Sequence, residues 1–328
     1  MKKVRALGLC SGGLDSLLAG LVLKRQGIDV EWINFETPFF SAVKAREAAK
    51  VLHIPLTVLN ITSEYLKMLK NPPCGYGKNM NPCLDCHALM FKTAGKRMKD
   101  KGFDFLFSGE VLGQRPMSQT RPSLRYVEKT SGFDGYILRP LSAKLLPLTI
   151  PETQGMVDRS VLLDFSGRSR KPQIKLARQF GVEQYPSPAG GCLLTDKCYA
   201  DRLKDLFKHQ SDDLTQNDLF LLKFGRHIRL DSDAKVIVGR TKQDNDNIMT
   251  CYQPEIHVLL ELSSIPGPKA IMPRISNRES MLKAAAICIG YSKSSSNKTI
   301  DVDIVTAQGN TTVQVEGICP STIKDLII

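Results

Sequence analysis

The chain has 328 residues, of which 42% are hydrophobic and 24% are charged, and its formal net charge at pH 7 is +12. This length and hydrophobic content suffice for two domains with separate cores. No apolar stretch approaches the ~20 residues that a membrane span requires, and the first residues show no signal-peptide cleavage pattern, so we expect a cytoplasmic protein without a membrane segment. Nine cysteines in such a chain predict reduced thiols that are available for metal binding or chemistry.

The positive charge is concentrated in the first part of the chain. Residues 1–210 contain 32 lysines and arginines against 19 aspartates and glutamates, a net charge of +13, whereas residues 211–328 contain 13 against 14, a net charge of −1. Two basic runs would attract a polyanion larger than a nucleotide, and tRNA is the expected partner. These runs comprise Lys92, Lys96, Arg97, Lys99 and Lys101, and Arg168, Arg170, Lys171, Lys175 and Arg178. Either run taken alone is also compatible with an ordinary solvated helix face.

Residues 11–16, with the sequence SGGLDS, connect an apolar run at residues 4–10 to a helical pattern at residues 17–26. They are predicted to form the turn from a first strand into a first helix. Two adjacent glycines expose backbone N–H groups, and the helix N-terminus and two hydroxyls attract an anion further, which predicts a phosphate site. An ordinary Walker loop would carry a lysine after its second glycine, whereas Asp15 suits a magnesium ion beside the phosphates. A plain strand-to-helix turn capped by Asp15 is the alternative.

Strand and helix patterns alternate through the rest of the first half, which predicts an α/β fold with a doubly wound parallel sheet. The predicted strands cover residues 30–35, 56–59 and 103–108, and the predicted helix covers residues 42–53. Ligands bind beyond the carboxyl ends of such strands, so the loops containing Ser11, Phe35 and Gly109 are expected to converge on one cleft. A Pro-rich, basic segment at residues 141–185, with a helix at residues 173–180, is predicted to return to this domain.

Three cysteines lie in segments that suit sulfur or metal chemistry. Cys83 and Cys86 form a C-x₂-C pair, and Cys192 follows two glycines far along the chain. Three thiolates without an obvious fourth ligand suit a 4Fe-4S cluster with one open iron, which could hold an exogenous sulfide. A structural zinc would need a fourth ligand, and the candidates are His87, Cys74 and Cys198. A metal-free persulfide or disulfide relay is the third possibility.

The loop at residues 11–16 resembles the signature of the PP-loop ATP pyrophosphatases, which split ATP between the α and β phosphates and so adenylate a substrate. Residues 109–120, with the sequence GEVLGQRPMSQT, resemble the GE-x-LGQ…SQT motif of tRNA 4-thiouridine synthetases. Within this motif, Gln114 and Arg115 are candidates for nucleotide or substrate contact. The sequence shows neither the N-terminal RNA-binding domain nor the C-terminal sulfurtransferase domain that many of these synthetases carry.

The segment that contains Cys83 and Cys86, with Met90 and Phe91 after them, is similar instead to a loop of the tRNA 2-thiouridylases. In that family an acidic residue takes the place of Cys83. The resemblance implies that Cys86 and Cys192 handle sulfur, and the cysteine at position 83 favours a three-cysteine cluster.

The second half carries short strand and helix patterns that predict an α+β module. The predicted elements are a hairpin at residues 227–239, a strand at 256–262, a helix at 278–291 and a strand pair across 308–310. Residues 238–247, 266–268 and 284–292 resemble the NFACT-R RNA-binding domain, although the near-neutral charge departs from that of a usual RNA binder. The remaining cysteines of this half, Cys251, Cys288 and Cys319, lie in apolar settings and are expected to be buried.

Together, the resemblances imply a PP-loop catalytic domain at residues 1–208, including the tail with Cys192, and an NFACT-R-like domain at residues 215–328. They imply an enzyme that adenylates a uridine carbonyl of tRNA with ATP and Mg²⁺ and replaces its oxygen by sulfur, giving 4-thiouridine. Sulfide or a sulfur-donor protein would be the further partner. The expected catalytic residues are Asp15, Cys86 and Cys192, and the expected metal ligands are Cys83, Cys86 and Cys192. The expected nucleotide-binding residues are Cys10, Ser11, Gly12, Gly13, Asp15, Ser16, Phe35, Gly109 and Gln114.

Three alternatives remain open. A 2-thiouridylase that acts on the wobble uridine would use the same chemistry on a different carbonyl. A PP-loop enzyme that adenylates a small molecule would leave the basic first half without a purpose. A non-enzymatic RNA-binding protein would not need an intact phosphate loop or the three cysteines.

Overall fold

The computed structural model describes residues 3–185, 192–210, 214–293 and 299–328. It divides the chain into two units, Met1–Thr195 and Asp196–Ile328. The division falls ahead of the boundary between residues 208 and 215 that the sequence suggested. The helix that follows Asp196 bonds within the second unit, because the Tyr199 hydroxyl donates to the Leu219 carbonyl and Arg202 donates to the Leu222 carbonyl.

A five-stranded parallel sheet forms the first unit, which confirms the doubly wound α/β fold. Its strands are β1 (Arg5–Leu9), β2 (Asp29–Glu36), β3 (Leu56–Asn60), β4 (Phe105–Ser108) and β5 (Ile137–Leu138), in the order β3-β2-β1-β4-β5. Ala6 faces one large apolar core, and Leu7 beside it is equally buried on the other face. Burial on both faces is the reason that these strands appear as continuous apolar runs in the sequence.

The described residues of the first unit form seven α-helices. They are α1 (Leu14–Lys24), α2 (Val43–Leu52), α3 (Thr62–Lys70), α4 (Cys83–Lys101), α5 (Arg121–Ser131), α6 (Ile150–Thr153) and α7 (Lys171–Gln179). Helix α7 packs on α1 through Leu176 and Ala177, so the tail does return to the first unit. Helix α4 packs against β1, β4 and α5.

An antiparallel six-stranded sheet forms the second unit, which confirms the expected α+β architecture. Its strands are β6 (Arg226–Arg229), β7 (Lys235–Val238), β8 (His257–Leu262), β9 (Ala270–Pro273), β10 (Thr299–Thr306) and β11 (Gly309–Glu316), in the order β11-β10-β8-β9-β7-β6. Its helices are α8 (Lys197–His209), α9 (Gln216–Leu221), α10 (Lys242–Cys251) and α11 (Arg278–Gly290). The predicted hairpin at residues 227–239 and the strand pair across 308–310 are both confirmed.

Successive residues of the central strands alternate between two apolar cores. Val258 and Leu260 face the core that contains α11, whereas Leu259 between them faces the core that contains residues of α9 and α10. Cys251 and Cys288 are buried as expected, but the expectation for Cys319 was wrong because this residue is exposed. It precedes a short 3₁₀ helix, Pro320–Leu326, and its Sγ lies 3.0 Å from the Ser321 hydroxyl.

Across the described residues, no helix has both the length and the apolar character that are needed to cross a membrane.

At two glycines, neighbouring backbone segments approach each other closely around the turn between β1 and α1. Gly12 has φ of +73°, and a Cβ there would lie 2.3 Å from the Lys44 carbonyl carbon at the start of α2. A Cβ at Gly109, after β4, would lie 2.4 Å from the backbone of Asp15. Only glycine allows these approaches, so both positions fix the shape of the turn.

We predict that Gly12→Ala destabilises the first unit by about 1–3 kcal/mol more than Gly132→Ala does. Both glycines have similar positive φ values, +73° and +78°, but a Cβ at Gly132 would have no neighbour within 4 Å. The shared backbone strain therefore cancels in the comparison, and the close approach to Lys44 remains. Urea unfolding followed by the fluorescence of Trp32, the single tryptophan, measures the difference. Equal unfolding free energies for the two variants would contradict a rigid contact at Gly12.

Candidate functional site

The turn that contains the SGGLDS sequence begins helix α1 without a side-chain cap. Gly13 is the N-cap residue, and the Ser16 hydroxyl donates to its carbonyl oxygen at 2.7 Å. The exposed Ser11 accepts a 3.3 Å hydrogen bond from the Gly13 N–H through its hydroxyl oxygen. An uncapped N-terminus of an eleven-residue helix leaves backbone N–H groups and a positive dipole end for an anion. The local geometry is therefore that of a phosphate-binding turn.

The carboxyl ends of the three neighbouring strands β2, β1 and β4 lie side by side, at the edge where the sequence places the expected cleft. Cys10 follows β1, Phe35 is the penultimate residue of β2, and Gly109 follows β4. The Cys10 and Phe35 side chains are only 2% and 3% exposed. Burial raises the pKa of Cys10 to about 11, partly offset by hydrogen bonds from Gly12 and Ser16. The side chains of these two residues therefore pack beneath the turn. At the surface of the turn, their backbone atoms rather than their side chains are available to a ligand.

Asp15 lies in the first turn of α1 with its two carboxylate oxygens in different settings. Its Oδ2 accepts a 2.8 Å hydrogen bond from the Gln114 amide, whereas its buried Oδ1 has no hydrogen-bond partner among the residues that the structure describes. Burial raises the pKa of Asp15, and the Gln114 hydrogen bond together with the charges of Arg170 and Arg115 opposes that rise. One oxygen of a partly desolvated carboxylate is thus left for a ligand, and a magnesium ion is a suitable one.

Cys83 and Cys86 lie on the first turns of helix α4, where the sequence resemblance pointed to a loop. Burial and the negative charges of Cys192 and Cys83 raise the pKa of Cys86 well above its ordinary value. Burial also raises the pKa of Cys192 to about 11, with a smaller contribution from Cys83. The fold therefore brings the three predicted thiols within electrostatic reach of one another and keeps the inner two protonated at neutral pH.

Tyr65 of α3 joins the two cysteine segments, and sequence reasoning missed it. Its side chain is 1% exposed and its hydroxyl shares a hydrogen bond with Cys86. The Tyr65 ring centroid lies 5.6 Å from that of Phe39 and 5.4 Å from that of Phe40. The Phe39 carbonyl in turn accepts a 3.1 Å hydrogen bond from the Leu193 N–H, next to Cys192. An aromatic wall, formed by Phe39, Phe40 and Tyr65, thus holds the segments together.

Among the residues that the structure describes, no three or more His, Cys, Asp or Glu side chains are arranged so as to hold a metal ion. His87, a candidate zinc ligand, instead pairs with Glu110 through its Nδ1 at 3.0 Å. The other two candidates, Cys74 and Cys198, are exposed. The donor set of Cys83, Cys86 and Cys192 nevertheless fits an iron–sulfur cluster by type, because cysteine thiolates are the usual ligands of such clusters and bound iron would displace the thiol protons.

A buried ion network supports the start of the GEVLGQ segment. Arg139, 2% exposed, donates through Nε to Glu110 at 2.9 Å and also bonds Glu128. Burial alone would raise the pKa of Glu110, but Arg139 and then His87 lower it to about 2. Ser108 donates to the same carboxylate at 3.1 Å. Glu110 is thus a structural anion that ties β4 to the helix carrying the cysteines.

We predict that Glu110→Gln lowers the free energy of unfolding by about 3 kcal/mol at pH 7, because it leaves the buried Arg139 without a full counter-charge. The Glu110 pKa in the folded protein, about 2, lies below its ordinary value of 4.5, so its stabilisation is complete above pH 4.5. That stabilisation disappears as the pH falls toward 2, and the gap between variant and wild type narrows over this range. Urea unfolding at pH 7 and pH 3.5, with the exposed Glu47→Gln as control, measures both effects. A difference in unfolding free energy between variant and wild type that does not change with pH would contradict the ion pair.

Two family models match separate parts of the chain. Residues 2–144 match the model described as thiamine biosynthesis protein (ThiI), and residues 225–326 match the model described as NFACT protein RNA binding domain. Both resemblances that the sequence motifs suggested are thereby confirmed. The first match covers the phosphate loop, Cys83 and Cys86, and ends before the tail.

Curated relatives resemble part of the chain. A probable tRNA sulfurtransferase of Lysinibacillus sphaericus is 28% identical over 200 residues, which cover 56% of this chain and 47% of that protein. One of Thermoanaerobacter sp. is 32% identical over 146 residues, covering 42% and 36%. The tRNA-specific 2-thiouridylase MnmA of Karelsulcia muelleri is 28% identical over 131 residues, covering 36% and 34%. The chain thus spans about a third to a half of the length of these relatives.

Proposed function

We propose that this chain, which combines a part similar to the ThiI family with a part similar to the NFACT RNA-binding domain, is an ATP-dependent enzyme that thiolates a uridine of tRNA. The observation that carries the proposal is the combination, on one parallel-sheet unit, of a phosphate-binding turn with an available Asp15 oxygen and a half-buried cluster of three thiols. Both halves of a thiolation reaction thus have candidate residues in the first unit.

In the first step, the phosphate turn formed by residues 11–16 would bind the ATP phosphates through backbone N–H groups and the Ser11 and Ser16 hydroxyls. Asp15 would hold Mg²⁺ beside the leaving pyrophosphate, and the Gln114 amide keeps its second oxygen fixed. A carbonyl oxygen of a flipped uridine would attack the α-phosphorus, and the bond to the β-phosphate oxygen would break. The products of this step are pyrophosphate and an adenylated uridine.

In the second step, sulfur from sulfide or from a donor protein would attack the activated carbon, and AMP would leave with the former carbonyl oxygen. Sulfane sulfur delivered by a donor protein, but not free sulfide, could be carried as a persulfide on Cys86 or Cys192. Once its terminal sulfur has displaced AMP, the other cysteine would attack the inner sulfur, release the thiolated uridine and leave a Cys86–Cys192 disulfide, which an external thiol would reduce. Cys83, Cys86 and Cys192 would alternatively hold a 4Fe-4S cluster, which supplies an iron with an open position for sulfide when bound. The Tyr65 hydroxyl orients the Cys86 sulfur in either case.

The basic charge of residues 1–210 supports tRNA as substrate, because a small molecule would gain nothing from a net charge of +13. The NFACT-type second unit would add RNA contacts of its own. We place the reaction in the cytoplasm, where reducing conditions would keep the proposed sulfur-handling residues Cys86 and Cys192 as thiols. The GE-x-LGQ segment favours the 4-position of uridine. The 2-thiouridylase relative keeps thiolation at the 2-position as the second candidate.

We predict that Asp15→Ala abolishes the tRNA-dependent release of AMP and pyrophosphate, because it removes the carboxylate that would hold the metal. The exposed Asp100→Ala serves as the control and should release both products at the wild-type rate. Chromatography of radiolabelled nucleotides measures the products. Release of ADP and phosphate by the wild-type chain would contradict the proposed cleavage between the α and β phosphates.

Nucleoside mass spectrometry of the treated tRNA then identifies the modified carbonyl. The proposal expects 4-thiouridine, whereas 2-thiouridine would select the second candidate. Neither nucleoside in a reaction that consumes ATP and a sulfur donor would favour a small-molecule substrate.

We predict that the chain reconstituted under anaerobic conditions binds about four irons and that Cys83→Ala, Cys86→Ala and Cys192→Ala each lose iron and thiolation together. Cys319→Ala, an exposed cysteine of the second unit, is the matched control and should retain both. Iron analysis and absorbance spectra give the first readout, and thionucleoside yield gives the second. Full thiolation by iron-free protein would reject the cluster and leave the persulfide route.

A further inference from the structure

The tail of the first unit returns along the phosphate turn before it forms helix α7. The Gly167 N–H donates to the Leu112 carbonyl at 2.8 Å, and Leu112 and Ser166 form a parallel bridge. This contact brings the start of α7 beside the loop that carries Gln114. Helix α7 then packs its apolar face on α1, the helix that begins at the phosphate turn. The start of α7 is thereby held at the nucleotide side of the unit.

Gln173, in the first turn of α7, is 1% exposed and reaches this loop. Its Nε2 donates to the Gln114 Oε1 at 3.3 Å, and the Gln114 Nε2 donates to the Asp15 Oδ2 at 2.8 Å. The three side chains come from α7, from the loop after β4 and from α1. They form a polar relay, Gln173 to Gln114 to Asp15, that ends on the carboxylate of the phosphate turn.

The donor and acceptor roles in the relay follow from Asp15, its last residue. An ionised carboxylate only accepts hydrogen bonds, so Gln114 must turn its NH₂ group toward Asp15 and its carbonyl toward Gln173. Gln173 must then turn its own NH₂ group toward Gln114. The charge of Asp15 therefore determines how the amide groups of Gln114 and Gln173 are oriented.

This orientation leaves buried polar atoms without partners on both ends of the relay. Within the described part of the chain, three buried atoms here have no hydrogen-bond partner: the Asp15 Oδ1, the Gln173 Oε1 and, at the N-cap of α7, the Arg170 Nε. Buried side-chain polar atoms in a folded protein are usually paired, because an unmade hydrogen bond costs about 1–3 kcal/mol. Three such atoms around one phosphate turn indicate that a bound ligand completes them.

We propose that Gln173 is a positioning residue of the nucleotide–metal site, which acts through Gln114 to hold the Asp15 Oδ2 and so leaves the Oδ1 for a divalent cation on the ATP phosphates. This inference rests on the proposed ATP-binding function and deepens it. Partners of this kind, behind a metal ligand, typically change metal affinity by about 10- to 100-fold when they are removed. Gln173 lies beyond the residues that match the ThiI model, so that match does not assign it.

The test is isothermal titration of ATP into the full chain with and without Mg²⁺. The proposal expects Gln173→Met, which keeps the length of the side chain, to reduce the Mg²⁺-dependent gain in ATP affinity about tenfold while metal-free ATP affinity changes less than twofold. The exposed Gln179→Met on the same helix is the control and should match the wild type. Gln173→Glu is a second variant, which breaks the relay because it places a carboxylate acceptor against the Gln114 carbonyl. Melting curves verify that each variant is folded.

An Asp15→Asn background separates positioning from general packing. If Gln173 acts through Asp15, then Gln173→Met has no further effect on the Mg²⁺-dependent gain in that background. The positioning role alone would be overturned if both Gln173 variants kept the full Mg²⁺-dependent gain in ATP affinity. It would also be overturned if Gln173→Met reduced that gain as much in the Asp15→Asn background as in the wild type. A wild-type chain that binds no ATP would instead overturn the proposed function, and the two failures are thereby distinct.

Discussion

The geometry of the candidate site depends on the close backbone approach at Gly12 and Gly109. These two glycines let the start of α2 and the end of β4 touch the phosphate turn without a Cβ between them. Asp15 and Gln114 are brought within hydrogen-bonding distance because the segment after β4 passes directly over the first turn of α1. A phosphate site made mainly of backbone N–H groups has few side chains to correct its shape, so the neighbouring backbones must fix it.

The two reaction centres suggested for this unit have opposite physical characters. The phosphate turn has an exposed Ser11, an uncapped helix end and unpaired polar atoms, which suits a charged and hydrated ligand. Cys86 and Cys192 lie next to the aromatic wall in settings that disfavour the charged form of their thiols. In the proposed reaction, these separate environments would let one unit stabilise the transferred adenylyl group and shield a reactive sulfur from water.

The sequence predicted the parallel sheet well because strands that are buried on both faces leave continuous apolar runs. It did not predict the helical start of α4, since residues 81–83, Asn-Pro-Cys, are typical of a turn. The proline nevertheless signals a helix beginning, because Pro82 is the N-cap residue of α4. Tyr65 and Gln173 were missed for another reason. Their partners lie 21 and 59 residues away, and no periodicity within one element encodes such contacts.

The burial of Cys86 restricts how sulfur can be handled. A thiolate is the nucleophilic form of cysteine, yet burial and the nearby Cys83 and Cys192 raise the pKa of Cys86 far above neutral. A bare Cys86 thiolate is therefore a poor candidate for the attacking group. Either a bound cation offsets the clustered negative charge, as in a cluster, or the sulfur arrives as a persulfide, whose terminal S–H is more acidic than a thiol. In both routes the Tyr65 hydroxyl, which shares a hydrogen bond with the Cys86 sulfur, would fix the position of that sulfur, so the aromatic wall would contribute to the proposed chemistry as well as to packing.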